Sequence, residues 1–265
     1  MNRIDTRVAQ LRAAGRKALI PFFTAGDPGL ESTLPVMHAL VAAGADLIEL
    51  GVPFSDPMAD GPVIQRSSER ALARGAGMQY VLETVRNFRA ADNQTPVVLM
   101  GYLNPIEMRG AERFAQEASA AGVDGLLLVD LPPEEAHEAR QLFNQHGLAL
   151  VLLAAPTTSA ERLERIAREA QGYLYYVSFA GVTGADSLRP ADVSERVIAL
   201  RQSATVPVVV GFGVKDAASA AALAPIADGV VVGSALVTAL DIAGVAGAAA
   251  AATAFMLPLR AALDA

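Results

Sequence analysis

One glutamate, Glu49, stands among aliphatic residues in the run Leu47-Ile48-Glu49-Leu50-Gly51. A carboxylate surrounded by buried aliphatics must be paired or must rise in pKa, because desolvation disfavours its charged form. A carboxyl raised in this way trades protons near neutral pH. The competing reading is a core acid satisfied by an internal salt bridge. Directly downstream, residues 52–62 carry three prolines, which restrict the shapes of the loop, and two further acids, Asp56 and Asp60. Each of these reads either as a catalytic group a short reach from Glu49 or as a turn former or helix cap.

A second constellation is built from glycine. Gly211-Phe212-Gly213, Gly233-Ser234 and Gly181-Val182-Thr183-Gly184 each follow an apolar run. Glycine lets backbone N–H groups approach an anion, and Ser234 is placed to cap a short helix whose N-terminal dipole favours negative charge. Any one of these is an ordinary turn; together they favour a phosphate site. Tyr175 reads as packing or as a hydroxyl lent to the site. Phe22, Met100, Leu127 and Phe212 read as core or as the walls of an apolar pocket for a flat ring.

Other chemistries lack their residues. With no cysteine there is no disulfide, thiolate nucleophile or zinc–sulfur site. His38, His137 and His146 fall on helical stretches or helix ends, away from the glycine turns, so a histidine base and a histidine-bound metal are not expected. Lys17 and Lys215, the two lysines, flank strands and do not lie within them, which disfavours a Schiff base. Carbon–carbon chemistry here has to run on carboxylates.

The elements that must position these groups are apolar runs of strand length at residues 18–25, 46–51, 96–101, 125–131, 148–154, 174–179, 207–211 and 229–233. They are apolar at nearly every position, so both faces are expected to be buried, as in parallel strands wrapped by helices. Stretches with helical spacing, such as 30–43, 111–121, 133–146 and 159–170, lie between them, and Gly44, Gly122, Gly147 and Gly172 supply the helix stops. Eight β-then-α units without a linker predict a single α/β domain over residues 1–265, a (β/α)8 TIM barrel, with a doubly wound open sheet as the alternative. The connections over about 52–65 and 180–190 are long for such turns and follow the second and sixth strands, on the rim where barrel chemistry resides.

With 265 residues, a formal charge of −7 and 52% hydrophobic residues, the chain has the composition of a folded globular protein and offers no basic stripe for nucleic acid. No signal-peptide core is visible near the N-terminus, so a cytoplasmic protein is expected. Residues 242–259 are uncharged over a length that makes a membrane span a candidate. Their Ala and Gly gain little from leaving water, and Pro258 is expected to interrupt the end, so a buried terminal helix is expected and no membrane partner.

The run Ile48-Glu49-Leu50-Gly51-Val52-Pro53-Phe54-Ser55-Asp56-Pro57-Met58-Ala59-Asp60-Gly61 resembles the signature of the tryptophan synthase α subunit. The resemblance continues in Pro21-Phe22-Phe23-Thr24-Ala25-Gly26-Asp27-Pro28, Met100-Gly101-Tyr102-Leu103-Asn104-Pro105, Asp130-Leu131-Pro132 and the three glycine turns, from the first strand to the eighth. It implies a barrel lyase that cleaves indole-3-glycerol phosphate to indole and glyceraldehyde 3-phosphate without a cofactor of its own. By this similarity Glu49 is the acid/base acting at indole C3 and at the side-chain hydroxyl, and Asp60 stabilises positive charge at the indole nitrogen. Gly184, Gly213, Gly233 and Ser234 would hold the phosphate, Tyr175 would lie beside the acid, and Thr183 would belong to a lid. The resemblance also implies an α2β2 complex with a β subunit that carries pyridoxal phosphate and receives indole through an internal tunnel. Asp56, Asn104 and Pro132, in the loops after strands two, three and four, resemble its partner-facing surface. Departures from the pattern are Phe179, Met100 and an Ala-rich segment after Ser234. A stand-alone lyase releasing indole, a phosphate-binding barrel isomerase and a non-catalytic activating subunit are the alternatives.

Overall fold

Parallel strands buried on both faces and joined by helices form either an open doubly wound sheet or a closed barrel, and this sheet closes. The computed structural model describes residues 2–177, 190–211 and 213–265. Its strands are β1 (Ala18–Thr24), β2 (Ile48–Gly51), β3 (Val97–Gly101), β4 (Gly125–Leu128), β5 (Ala149–Ala154), β6 (Leu174–Val177), β7 (Val208–Gly211) and β8 (Gly229–Val232). Each is parallel to the next, and β8 pairs back onto β1, with Ala18 opposite Gly229. The open-sheet alternative is thereby excluded.

Helices wrap the outside: α1 (Arg3–Ala13), α2 (Thr33–Ala42), α3 (Pro62–Ala73), α4 (Met78–Arg89), α5 (Leu103–Arg109), α6 (Ala111–Ala121), α7 (Ala136–Gln145), α8 (Ala160–Glu169), α9 (Pro190–Ser203), α10 (Ala217–Leu223) and α11 (Ser234–Asp264). The four expected helix-stop glycines all have positive φ. At Gly122, φ is +90° and the N–H returns to Ala118 and Ser119, the left-handed cap that only glycine adopts without penalty.

The N-terminal end of the barrel is tied by a repeated device. A residue one to three positions before each even-numbered strand accepts a backbone N–H of the preceding odd one: Asp46 from Leu19, Asp124 from Val97, Gln171 from Leu150 and Asp228 from Val208, at 2.8–3.1 Å. The three aspartates also meet arginines from the helical layer, Arg260 at Asp46, Arg89 at Asp124 and Arg201 at Asp228. These bonds tie the strand starts to one another and to the helical layer.

Several boundaries differ from the sequence expectation. β4 stops at Leu128 and not at 131, because Asp130 turns away to accept the Leu103 N–H at 2.9 Å. The helix expected from residue 30 begins as a 3-10 turn (Leu30–Ser32), and that expected from 133 starts at Ala136. The long loop after β2 ends at Gly61, the N-cap of α3, with Pro62 in the first turn where its missing N–H costs nothing. Ser178, Phe179 and the connection after β6 lie outside the described residues.

The terminal segment also differs. Pro258 does not end it, since α11 runs to Asp264; the break falls at Gly244, where φ is +64°. Nor is it wholly buried: in its most apolar 18-residue window only 22% is buried, although the helix is long and apolar enough to cross a membrane. Leu236, Leu240, Ala252 and Met256 seat one face on the barrel, and Arg260 reaches the buried Asp46 at 3.0 Å.

Candidate active site

Parallel register places Glu49, the second residue of β2, beside Phe22 of β1 and Val98 of β3 and pointing inward. Glu49 is fully buried, and the Tyr173 hydroxyl donates to Glu49 Oε1 at 2.5 Å. Its other oxygen, Oε2, is buried without a hydrogen-bond partner among the described residues. No cation pairs with it there, so the salt-bridge reading of this acid fails. Burial pushes the carboxyl up to about 8, against the smaller opposing pull of the Tyr173 hydroxyl.

Asp60 is held differently. The loop after β2 is pinned to Tyr102, which follows β3: Ala59 N–H donates to the Tyr102 hydroxyl at 3.0 Å, and that hydroxyl donates to Asp60 Oδ2 at 3.1 Å. The Phe54 ring packs on Tyr102 with centroids 5.1 Å apart, and Gln65 Nε2 donates to the Asp60 carbonyl at 2.9 Å. Half-buried Asp60 is raised to about 6, mainly by desolvation. It is not a helix cap, since Gly61 occupies that position. Asp56 is exposed and accepts from the Ser55 hydroxyl at 2.5 Å, while its carbonyl takes the Met58 N–H in a tight turn.

Glu49 and Asp60 line one cavity of about 190 Å³. Phe22, Met100 and Tyr175 wall it from the strands, and Gly213, Gly233 and Ser234 wall it from the turns after β7 and β8. Leu127 is fully buried on β4 and does not line it. Ser234 does not cap α11: Gly233 holds the N-cap, without a side-chain bond, and Ser234 is the first helical residue. The leading N–H groups of α11 therefore have no side-chain cap at the cavity edge, an arrangement suited to an anion. Thr183, Gly184 and Phe212 lie outside the described residues. Asn104 is exposed in the first turn of α5, and Pro132 is half-buried after β4.

Tyr175 is buried with its hydroxyl over Gly211; a methyl group at Gly211 would fall 1.8 Å from that oxygen. Sequence reasoning missed Tyr173 and Tyr102, the two hydroxyls bonded to the acids, and also Ile64 and Lys215, which line the cavity. The period of two in Tyr173 and Tyr175 was the available signal for the first. Nothing local marks Tyr102, whose role depends on a loop folding across from β2. Among the described residues no group of three or more His, Cys, Asp or Glu side chains could hold a metal ion.

Two carboxyl groups brought near neutrality by burial, facing a shared cavity on the C-terminal rim of a parallel barrel, define an enzyme of the acid–base class. Comparison with known proteins gives its family. A family model described as tryptophan synthase alpha chain matches residues 8–260. A tryptophan synthase alpha chain from Xanthomonas oryzae pv. oryzae (strain MAFF 311018) is 70% identical, covering 100% of this chain and 99% of the relative. One from Xylella fastidiosa (strain 9a5c) is 67% identical with the same coverage. The crystal structure of tryptophan synthase subunit alpha from Legionella pneumophila str. Paris superposes with a TM-score of 0.93 at 48% identity, covering 100% of this chain and 99% of that one.

The chain belongs to the tryptophan synthase alpha chain family. It is a carbon–carbon lyase that cleaves indole-3-glycerol phosphate to indole and glyceraldehyde 3-phosphate, in the α-subunit role of tryptophan synthase, which implies a β-subunit partner.

Proposed function

We propose that Glu49 is the proton donor and acceptor of this cleavage and that Asp60 is its counter-charge, within one catalytic domain spanning residues 1–265. A ring carbon does not leave as a bare carbanion, so protonation precedes bond breaking. Protonated Glu49 gives its proton to indole C3, and positive charge appears at the ring nitrogen, where the Asp60 carboxylate stabilises it in a water-poor site. The Glu49 carboxylate then takes the proton of the hydroxyl on the carbon attached to C3. The O–H electrons form the aldehyde C=O as the carbon–carbon bond breaks, and the bond pair returns to the ring and neutralises the nitrogen. Glu49 ends protonated, so no proton is consumed.

The observation that carries this reading is the buried carboxyl of Glu49, one oxygen oriented by Tyr173 and the other without a partner, in the cavity it shares with Asp60. Positioned acid–base groups of this kind contribute about 10²–10⁴ in rate. Phe22, Met100 and Tyr175 bracket the flat indole. Gly213, Gly233 and Ser234 take the phosphate on backbone N–H groups at the start of α11.

The loops after β2, β3 and β4, with Asp56, Asn104 and Pro132, form the face that receives the β subunit in an α2β2 assembly. Met58 and Met108, 84% and 81% exposed on the first two of these segments, supply apolar surface of the kind partner sites use. Indole then passes through an internal tunnel to pyridoxal phosphate held by the β subunit, and the assembly works in the cytoplasm. Indole release by the full chain, with and without β subunit, tests this: strong stimulation is expected, and equal rates would point to a stand-alone lyase.

A further inference from the structure

A second cavity, of about 200 Å³, opens at the opposite, N-terminal end of the barrel, between α1 and the strand starts. Leu11, Ile20, Leu47 and Val209 give it apolar walls, and Tyr173 also lines it. Its lining carries one carboxylate, Asp228, and four cations, Arg12, Arg16, Lys17 and Arg201. Two of these are neutralised, Arg201 by Asp228 at 2.7 Å and Arg16 by Asp264 at 3.1 Å. Arg12 and Lys17 have no carboxylate within ion-pair distance among the described residues. The Lys17 ammonium donates to the Ala227 carbonyl at 2.9 Å, which leaves donors for an incoming group. Burial and the nearby Arg201 hold its pKa below the usual lysine value, against the smaller opposing pull of Asp228.

Apolar walls beneath surplus positive charge suit a small acid with a flat apolar body. The volume lies below the ~300–1,000 Å³ of drug-sized sites, which limits the occupant to one or two rings. Tyr173 faces this cavity while its hydroxyl holds Glu49 Oε1. One side chain therefore joins the two ends of the barrel.

We propose that this cavity is a binding site for a small aromatic monocarboxylate, its ring against Tyr173 and its carboxylate at Lys17, and that occupancy is transmitted to Glu49 through the Tyr173 hydroxyl. Binding stands independently of the catalytic reading; the coupling rests on Glu49 being the catalytic acid. If the two sites are linked, the acid must change the protonation equilibrium of Glu49 as much as that equilibrium changes its binding.

The test uses 2-naphthoate and the full-length chain. The chain contains no tryptophan, so the anisotropy of the naphthoate fluorescence is read against a weak background. Saturable one-site binding at about 1 mM or tighter is expected. Lys17→Met and replacement of the probe by neutral 2-naphthamide should each weaken it by about tenfold or more, while Lys17→Arg retains it. Equal binding by the Lys17→Met chain, or full competitive displacement by glyceraldehyde 3-phosphate, would overturn the site. For the coupling, saturating probe should move the alkaline limb of the pH–rate profile of indole release in the parent chain and leave it in place in Lys17→Met. Probe bound with that limb unmoved would overturn the coupling alone.

Discussion

Replacing Glu49 by Gln makes a stability measurement report on the proposed catalytic acid. The carboxyl titrates at about 8 in the folded chain against 4.5 for the ordinary side chain. Between these values the folded state binds one proton more than the unfolded state, so stability falls by about 1.4 kcal/mol per pH unit as pH rises. The contribution is fully present below 4.5 and fully lost above 8, a difference of about 5 kcal/mol. Gln keeps an acceptor for Tyr173 but puts an NH2 where Oε2 has no partner, at a pH-independent cost of about 1–3 kcal/mol. The Glu49→Gln chain should therefore be about 1–3 kcal/mol less stable than its parent at pH 4.5 and about 2–4 kcal/mol more stable at pH 8.5. In a chain of this size that raises Tm at the higher pH by roughly 10 °C. Urea unfolding of both chains across this range gives the difference directly, since the other titrating groups are common to both. Parallel curves, with a difference independent of pH, would refute the buried, protonated carboxyl.

The remaining predictions follow from the same geometry. The kcat/KM for indole release should be bell-shaped, rising through about 6 as Asp60 ionises and falling above about 8 as Glu49 loses its proton; Asp60→Asn should remove the acid limb from the residual activity. Arg89→Met breaks a buried pair with Asp124 at 2.7 Å, and urea unfolding should show a loss of about 3–5 kcal/mol with kcat unchanged while the chain is folded. Gly211→Ala should displace the Tyr175 ring and depress indole release, with partial recovery when Tyr175→Ala is added; parent-like activity in the single variant would contradict the close approach.

Glu49 was legible in the sequence because a lone acid in an aliphatic run has few outcomes. The eight strands were legible because burial on both faces leaves runs apolar at every position, and the helix stops because glycine adopts the left-handed cap without strain. The misses share a cause: they depend on contacts between segments far apart in the chain. β4 ends early because Asp130 meets Leu103, Asp60 is fixed by a tyrosine beyond the next strand, and Tyr173 reaches Glu49 across 124 positions. Gly244, not Pro258, breaks the terminal helix, since a proline near its end is accommodated while a residue at φ +64° is not helical. The roles of Asp124 and Asp228, just before their strands, were likewise invisible, because an aspartate before a strand reads as a turn residue until its neighbour's N–H is known.

The most direct measurement is single-turnover cleavage of indole-3-glycerol phosphate by the full-length Glu49→Gln chain, with substrate binding followed in parallel. A proton-donating Glu49 predicts a bound substrate and indole release slowed by about 10³-fold or more. Release within tenfold of the parent rate, with binding intact, would contradict it.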